Sequence, residues 1–360
     1  GMDAFKNAGS ASDGLQITVH TSPDLVTGLE NLPDATFTVE AVAAADDKIS
    51  DEPDAPTLQK AIDDAEDGGT VTISKNILLT EGIEIPADKT VSLCAADGTA
   101  VHIIADKEKG LRGPMFTVPA GSALSLSGGL TLWGRNITTG SNSAAFIDCA
   151  GGLSIHEGVT LQYAAVSSSF SASVRISGES AEFMMDGGAI SNNSFSTQYG
   201  GIVLVEEGAS FTMTGGEISC NDTDIRGNTI NNAPVYVLAP ETAAKSTAFI
   251  MAGGLITENH GSNGGVMLGN SESLPENGPS AIATMKMTGG TISNNTADKR
   301  GGGVFTNMTL TISDGITITG NKSEQGGGIY TYDEDITING GNITGNTAFA
   351  VLTGRHSVTL

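Results

Sequence analysis

Basic residues are scarce. Only 17 Lys and Arg stand against 41 Asp and Glu, and the formal net charge is −24. A chain this acidic repels phosphate backbones and anionic lipid surfaces, which excludes nucleic acid as a partner and electrostatic binding to membranes. It suits a soluble protein kept apart by self-repulsion, or one outside a cell. Cysteine is equally sparse. Cys94, Cys149 and Cys220 are odd in number, widely spaced and without a Cys-x-x-Cys pair. Neither a disulfide framework nor a zinc site is expected, and the three read as small buried hydrophobes. No apolar run is long enough to cross a bilayer, so no membrane insertion is expected from these residues. No secretion leader is visible at Gly1-Met2-Asp3. Gly1 reads as an expression remnant, so a leader and an anchor are expected outside these residues. Aromatic residues are only 5% of the chain, with Trp133 the single tryptophan.

Glycine is abundant, at 48 of 360 residues, and much of it is periodic. The phrase Ile-(Ser/Thr)-x-Asn is written six times, ending at Asn193, Asn221, Asn259, Asn295, Asn321 and Asn346. It closes a longer frame: two apolar residues separated by one other, one further residue, then Gly-Gly-x, then the phrase, as in Phe183-x-Met185-x-Gly187-Gly188-x-Ile190. Phe183-x-Met185, Phe211-x-Met213, Phe249-x-Met251, Met285-x-Met287 and Ile336-x-Ile338 open five copies. Leu310-x-Ile312 opens the sixth, which has Asp314-Gly315 and one extra residue. The alternating pair predicts a strand with one face inward. Gly-Gly permits a bend. The Ile points back to the core, and the Asn is expected at the next turn, bonding backbone and tolerating a left-handed conformation. A third apolar pair follows, as at Ile202-x-Leu204, Val235-x-Val237, Val266-x-Leu268, Val304-Phe305 and Ile329-Tyr330.

Three strands and three turns per unit make one coil of a solenoid. The predicted fold is all-β: a single-stranded right-handed parallel β-helix. Successive Asn residues lie 28, 38, 36, 26 and 25 residues apart (193, 221, 259, 295, 321, 346). The short spacings suit one coil. The long ones carry insertions, placed at Pro240 to Ser246 and Asn270 to Ser280.

Ahead of the repeats, Leu58, Ala61, Ile62 and Ala65 fall on one helix face. A capping helix is expected over about 57–66, with Pro56 before it and Thr57 as its cap. It would cover the open end of the first coil. Residues 1–50 form an N-terminal extension with one or two possible strands near Leu15 to Val19 and Thr36 to Val39. The solenoid spans 51–360, and its clearest repeats run from 183 to 349.

The Gly187-Gly188-Ala189-Ile190 tetrapeptide, and the recurring Gly-Gly-x-Ile with a downstream Asn, resemble the repeats of chlamydial polymorphic outer-membrane proteins. They are also similar to the pectin-lyase-like β-helix repeats of bacterial surface proteins. The resemblance covers about residues 124–349, and the helix-then-strand start at 57–73 resembles that superfamily's N-terminal cap. It implies a bacterial, extracellular or cell-surface protein, adhesive or glycan-directed. In one respect the chain departs from the chlamydial pattern: its Asn stands where that family favours Phe.

Two groups of residues could carry a function. Aligned on the repeat Asn, the next positions read Ser194, Asp222, His260, Thr296, Lys322 and Thr347. Asp222 and His260 should therefore be stacked neighbours, one strand spacing apart. With Asp224, Arg226 and Glu258 close in sequence, they could form a catalytic site in a polysaccharide lyase or glycoside hydrolase. The simpler reading of the same residues is a solvated turn with a surface ion pair. The Asn-x-Asp, Asp-Asp, Gly-His-Gly and Arg-Ile-Lys series of polygalacturonases is missing, with Asn259-His260-Gly261 the nearest match. No metal site and no cofactor is implied. The second group flanks the third strand: Val203, Tyr236, Met267, Phe305 and Tyr330, with Tyr332 two residues on. If their neighbours face inward, these form an outward apolar ladder able to stack on sugars or anchor a protein. Alternatively, a segment folds over the ladder or it serves only to join strands. The leading expectation is a non-catalytic adhesin that binds a glycan or host protein along one face; the alternative is the enzyme centred on 222–260.

Overall fold

The computed structural model describes residues 16–21, 36–41 and 55–360, apart from 107, 109, 136, 139–142, 224–230, 240–244, 270–282, 309, 333–335, 349, 354–357 and 360. The chain divides into two units, 1–50 and 51–360. In the first, Gln16–Thr21 pairs in parallel with Thr36–Ala41.

The second unit is a right-handed parallel β-helix with one short helix at its start. Each coil lays down three short strands, and every pairing between coils is parallel. The first wall carries the strands that open the repeat, such as Glu182–Met185 and Ser210–Met213. The second carries those holding the repeat Ile, such as Ala189–Ser191 and Glu217–Ser219. In two coils a single strand, Thr247–Thr257 or Ala283–Ser293, runs through the Gly-Gly bend and serves both walls. The third wall is a ten-stranded sheet.

Registration puts like residues over like. Phe183, Phe211 and Phe249 stack in one column, with ring centroids 4.5 and 4.9 Å apart. Met185, Met213, Met251 and Met287 form the next. Ile190, Ile218, Ile256, Ile292 and Ile318 line the second wall, all fully buried. The Gly-Gly bend is tight because coils stack closely there: a Cβ on Gly215 would stand 2.2 Å from the carbonyl oxygen of Asp186 one coil away. Any side chain at that position must displace backbone.

The repeat asparagines do not occupy the left-handed turn. That conformation falls on the residue before each of them: Asn192, Cys220, Glu258, Asn294, Gly320 and Gly345, at φ between 54° and 68°. The asparagines themselves turn inward. Asn193, Asn221, Asn259, Asn295 and Asn321 are buried and hydrogen-bonded in a continuous ladder. Asn259 shows the pattern. Its backbone N–H and its Nδ2 both donate to Oδ1 of Asn295, at 3.1 and 2.9 Å, and Nδ2 also donates to the Ile218 carbonyl at 2.8 Å. Its own Oδ1 accepts from the N–H and Nδ2 of Asn221, at 3.0 and 2.9 Å. The ladder thus satisfies backbone groups that a buried corner would otherwise orphan. At its lower end Ala164 takes the Asn position, and its N–H donates to Asn193 Oδ1.

The helix runs Ala55–Asp64, so Pro56 lies in its first turn rather than before it, where a missing N–H costs nothing. Leu58 and Ile62 are buried in the main core and close the first coil. The Gln59 amide stands in for a neighbouring strand. Its Nε2 donates to the Glu84 carbonyl at 2.8 Å, and its Oε1 accepts from the Glu84 N–H at 2.9 Å. The exposed edge of Ile83–Glu84 is thereby occupied. Lys89 Nζ donates to the carbonyls of Asp63 and Ala65, both at 2.7 Å, at the helix C-terminus.

Substitution should separate the two turn positions. Asn259→Ala removes the acceptor of two Asn221 donors and is expected to cost about 3 kcal/mol by leaving buried groups unpaired. Asn294→Gly, at an exposed left-handed position, should be neutral or mildly stabilising. Thermal melting with amide hydrogen exchange of the flanking coils would measure both. Equal effects would contradict the assignment of roles.

Candidate functional site

The ladder of large residues beside the third strand exists, but it is not an exposed face. Leu204, Tyr236, Met267, Phe305, Tyr330 and Leu352 are in register across six coils. Val203, expected in this column, instead pairs with Val235 and packs in the main core, so Leu204 takes its place. Tyr236, Met267, Phe305 and Tyr330 are buried, at 2%, 0%, 3% and 5% exposure, and form a second core with Tyr332 half-buried against it. The segments leading into the third strands lie over them. Asn263 Nδ2 reaches Met267 Sδ at 3.8 Å. The Arg300 guanidinium lies over the rings of Tyr330 and Tyr332, at 5.3 and 5.5 Å. A Cβ on Gly201 would stand 3.2 Å from the Tyr236 Cβ, so glycine lets this layer close down. In one coil the column changes character: the residue in register with Leu204 is Arg175. Arg175 binds Glu206 at 2.6 Å and Asp148 at 3.3 Å. Burial pushes both carboxyls up against the pull of that guanidinium.

Asp222 and His260 are stacked as the alignment predicts, joined by a parallel bridge. His260 Nδ1 lies 3.0 Å from Asp222 Oδ1, and its Nε2 lies 3.0 Å from Asp298 Oδ1. Asp298 was not singled out from the sequence. It follows the repeat Asn295 by three residues, outside the aligned column, so spacing alone gave no signal. Both imidazole nitrogens are engaged, and the hydrogen bond that Nδ1 donates to Asp222, with help from Asp298 against burial, raises the His260 pKa to about 9. The ring is an imidazolium at neutral pH and ties three coils together. Glu258 is not part of this chain of contacts. It occupies the exposed left-handed position, with Oε2 3.5 Å from Cys220 Sγ in the coil below. Asp224 and Arg226 lie outside the described residues, as do 240–244 and 270–282 of the expected insertions. Of the cysteines, only Cys149 is fully buried, where burial pushes its thiol up to about 12; Cys94 is half-buried and Cys220 exposed.

A third cluster sits at the corner after the second wall, where the repeat is least regular. Trp133 fills the slot that later coils give to Ser or Thr, being in register with Gln162 and, through it, Ser191. Tyr163 fills the left-handed slot, at φ 61°, and is 40% exposed. Bulky side chains avoid this conformation at a cost of about 1 kcal/mol. The two rings pack 4.9 Å apart, which returns a similar amount. His102 stands edge-on to Trp133 at 5.6 Å, and burial lowers its pKa, so it is neutral. The Arg135 guanidinium lies over both Trp133 and Tyr163, at 5.3 and 5.8 Å. Trp133 Nε1 is buried without a hydrogen-bond partner among the described residues. The available signal was the mismatch itself: Leu161-Gln162-Tyr163-Ala164 holds the frame of the Ile-(Ser/Thr)-x-Asn phrase with three unlike residues.

Comparison with protein-family models, with curated proteins and with solved structures finds no match to this chain. Its parallel β-helix therefore rests on its own register.

Two measurements test these assignments. Phe305→Ala should destabilise the fold by about 3 kcal/mol, as removal of a core aromatic does; a folded variant with native stability would return the ladder to the surface. His260 has a folded pKa above its ordinary value of 6.5, at about 9. Its stabilisation should be complete below about pH 6.5 and vanish as pH rises through about 9. An imidazole NMR titration of native protein, with melting curves for His260→Gln, reads both. The ring is a third exposed, so the stability effect should be modest.

Proposed function

We propose that this chain is a non-catalytic bacterial β-helix, displayed at the cell surface or secreted, that binds a glycan or a host protein through its outer walls. The observation that carries the reading is the closed Asp222–His260–Asp298 chain. A general base needs a free lone pair and a pKa near the working pH. His260 has neither: both its nitrogens are held by carboxylates, and its pKa is raised to about 9. His260, the group that would take a proton in a lyase reading, is therefore better suited to pinning coils than to moving protons. Support for the location comes from the net charge of −24 and from the likeness of the Gly-Gly-x-Ile repeats to chlamydial polymorphic outer-membrane and pectin-lyase-like surface repeats. A solenoid that repeats outward side chains on every coil offers an extended contact surface, which is what adhesion uses.

The reading is tested with the native chain on a polysaccharide panel and, in parallel, on glycan and matrix-protein arrays. The expected outcome is binding to at least one class without release of unsaturated or reducing sugar. Sugar release that disappears in Asp222→Ala would establish the enzyme instead. Binding to nothing on either array would remove the adhesive reading.

A further inference from the structure

The corner that holds Trp133, Arg135 and Tyr163 has features that the fold does not require. Later coils close the same corner with small or polar residues, such as Ser191, Asn192 and Asn193, and are regular there. Tyr163 occupies a left-handed position that an adjacent coil gives to Asn192. Its ring is one of the few large apolar groups left exposed among the described residues, with Met184 and Ile250. Arg135 is exposed, and no carboxylate pairs with it among the described residues, although acids outnumber bases 41 to 17 in the chain. Its guanidinium lies across two rings, and no hydrogen bond engages its N–H donors among the described residues.

We infer that Arg135, Trp133 and Tyr163 anchor a docking surface for a protein segment that presents a carboxylate. The inference rests on the binding reading above and names where, and with what chemistry, the partner is held. A planar carboxylate matches a guanidinium in a bidentate pair. Trp, Tyr and Arg are the residue types that dominate binding energy at protein interfaces. His102 behind Trp133, its pKa lowered by burial, leaves the Arg135 guanidinium as the cation of the cluster. The net charge of −24 opposes a strongly acidic partner. The cluster also sits at an outer corner of the coil.

The test pans a phage library of short random peptides against the native chain, with Arg135→Gln and Tyr163→Asn variants in parallel. Tyr163→Asn installs the residue that the adjacent coil already uses, so its melting temperature should match the native value. Enriched peptides should share an Asp, a Glu or a free C-terminal carboxylate. They should bind the native chain about tenfold or more tightly than either variant, the size of one charged hydrogen bond, and lose binding when that acid is amidated. Enrichment without a shared acid, equal binding to the variants, or no enrichment overturns the inference. So does a Tyr163→Asn chain that melts well below native, because the ring would then be a structural prop. Saccharide binding on a glycan array, lost in the same two variants, would assign the corner to sugar instead. Array binding that persists in both variants would leave the general binding reading standing while removing this site from it.

Discussion

Everything else in the solenoid depends on vertical register. Parallel strands only one pairing distance apart must superpose every inward side chain on its counterpart in the next coil. Apolar columns tolerate this by stacking, as Phe183, Phe211 and Phe249 do. The corners are harder, because a turn presents backbone groups with no strand partner, and here the corner is buried. The asparagine ladder resolves that conflict. One side chain accepts from the coil below, donates to the coil above and also caps a second-wall carbonyl in the coil below. A hydroxyl could not do all three, since it has a single donor. The ladder is therefore the reason that Asn is kept through six copies while its neighbours vary.

The same constraint explains why the charged groups look like fasteners. His260 spans Asp222 and Asp298, and His156 spans Ser125 and Asp186 in the same manner, at 3.1 and 2.8 Å. Arg175 joins Asp148 below to Glu206 above. Each contact links adjacent coils along the rod. In a solenoid, where a coil touches only its neighbours, such links act on the nearest-neighbour coupling that holds the array together. A histidine beside acids is often a site; here its geometry runs along the rod axis instead of converging on an open space.

The apolar periodicity, the capping helix and the Asp222–His260 neighbourhood were legible in the sequence, because each is a consequence of spacing. What spacing could not supply was direction. Both Asn192 and Asn193 are residues that favour turns, and only hydrogen bonding decides which enters the left-handed region and which turns inward. That Tyr236, Met267, Phe305 and Tyr330 face away from the main core follows from the alternation of the third strand. The burial of this ladder matches the alternative in which a segment folds over it; which segment does so is not legible, because the covering layer comes from glycine-rich stretches with no periodic signal of their own. Asp298 was missed for a related reason: it reaches His260 from a position outside the repeat frame.

Function in such a chain should be sought where register is satisfied by something other than the consensus. Most departures from the repeat are conservative in physical terms. Leu310 replaces Met285 in a core column, and Gly320 replaces Asn294 at a left-handed turn, the less strained choice. The corner at Tyr163 is different. Ala164 gives up the ladder's side chain, Tyr163 accepts an unfavourable backbone region, and Trp133 buries an indole N–H without a partner. Three concessions at one corner, each small, are hard to attribute to drift, because single changes to Asn, Ser or Gly would relieve them within the existing frame. They coincide with the exposed tyrosine and the Arg135 guanidinium, the groups able to hold a partner. A local loss of regularity that assembles chemistry on the outer surface is what a recognition site on a repeat scaffold would require.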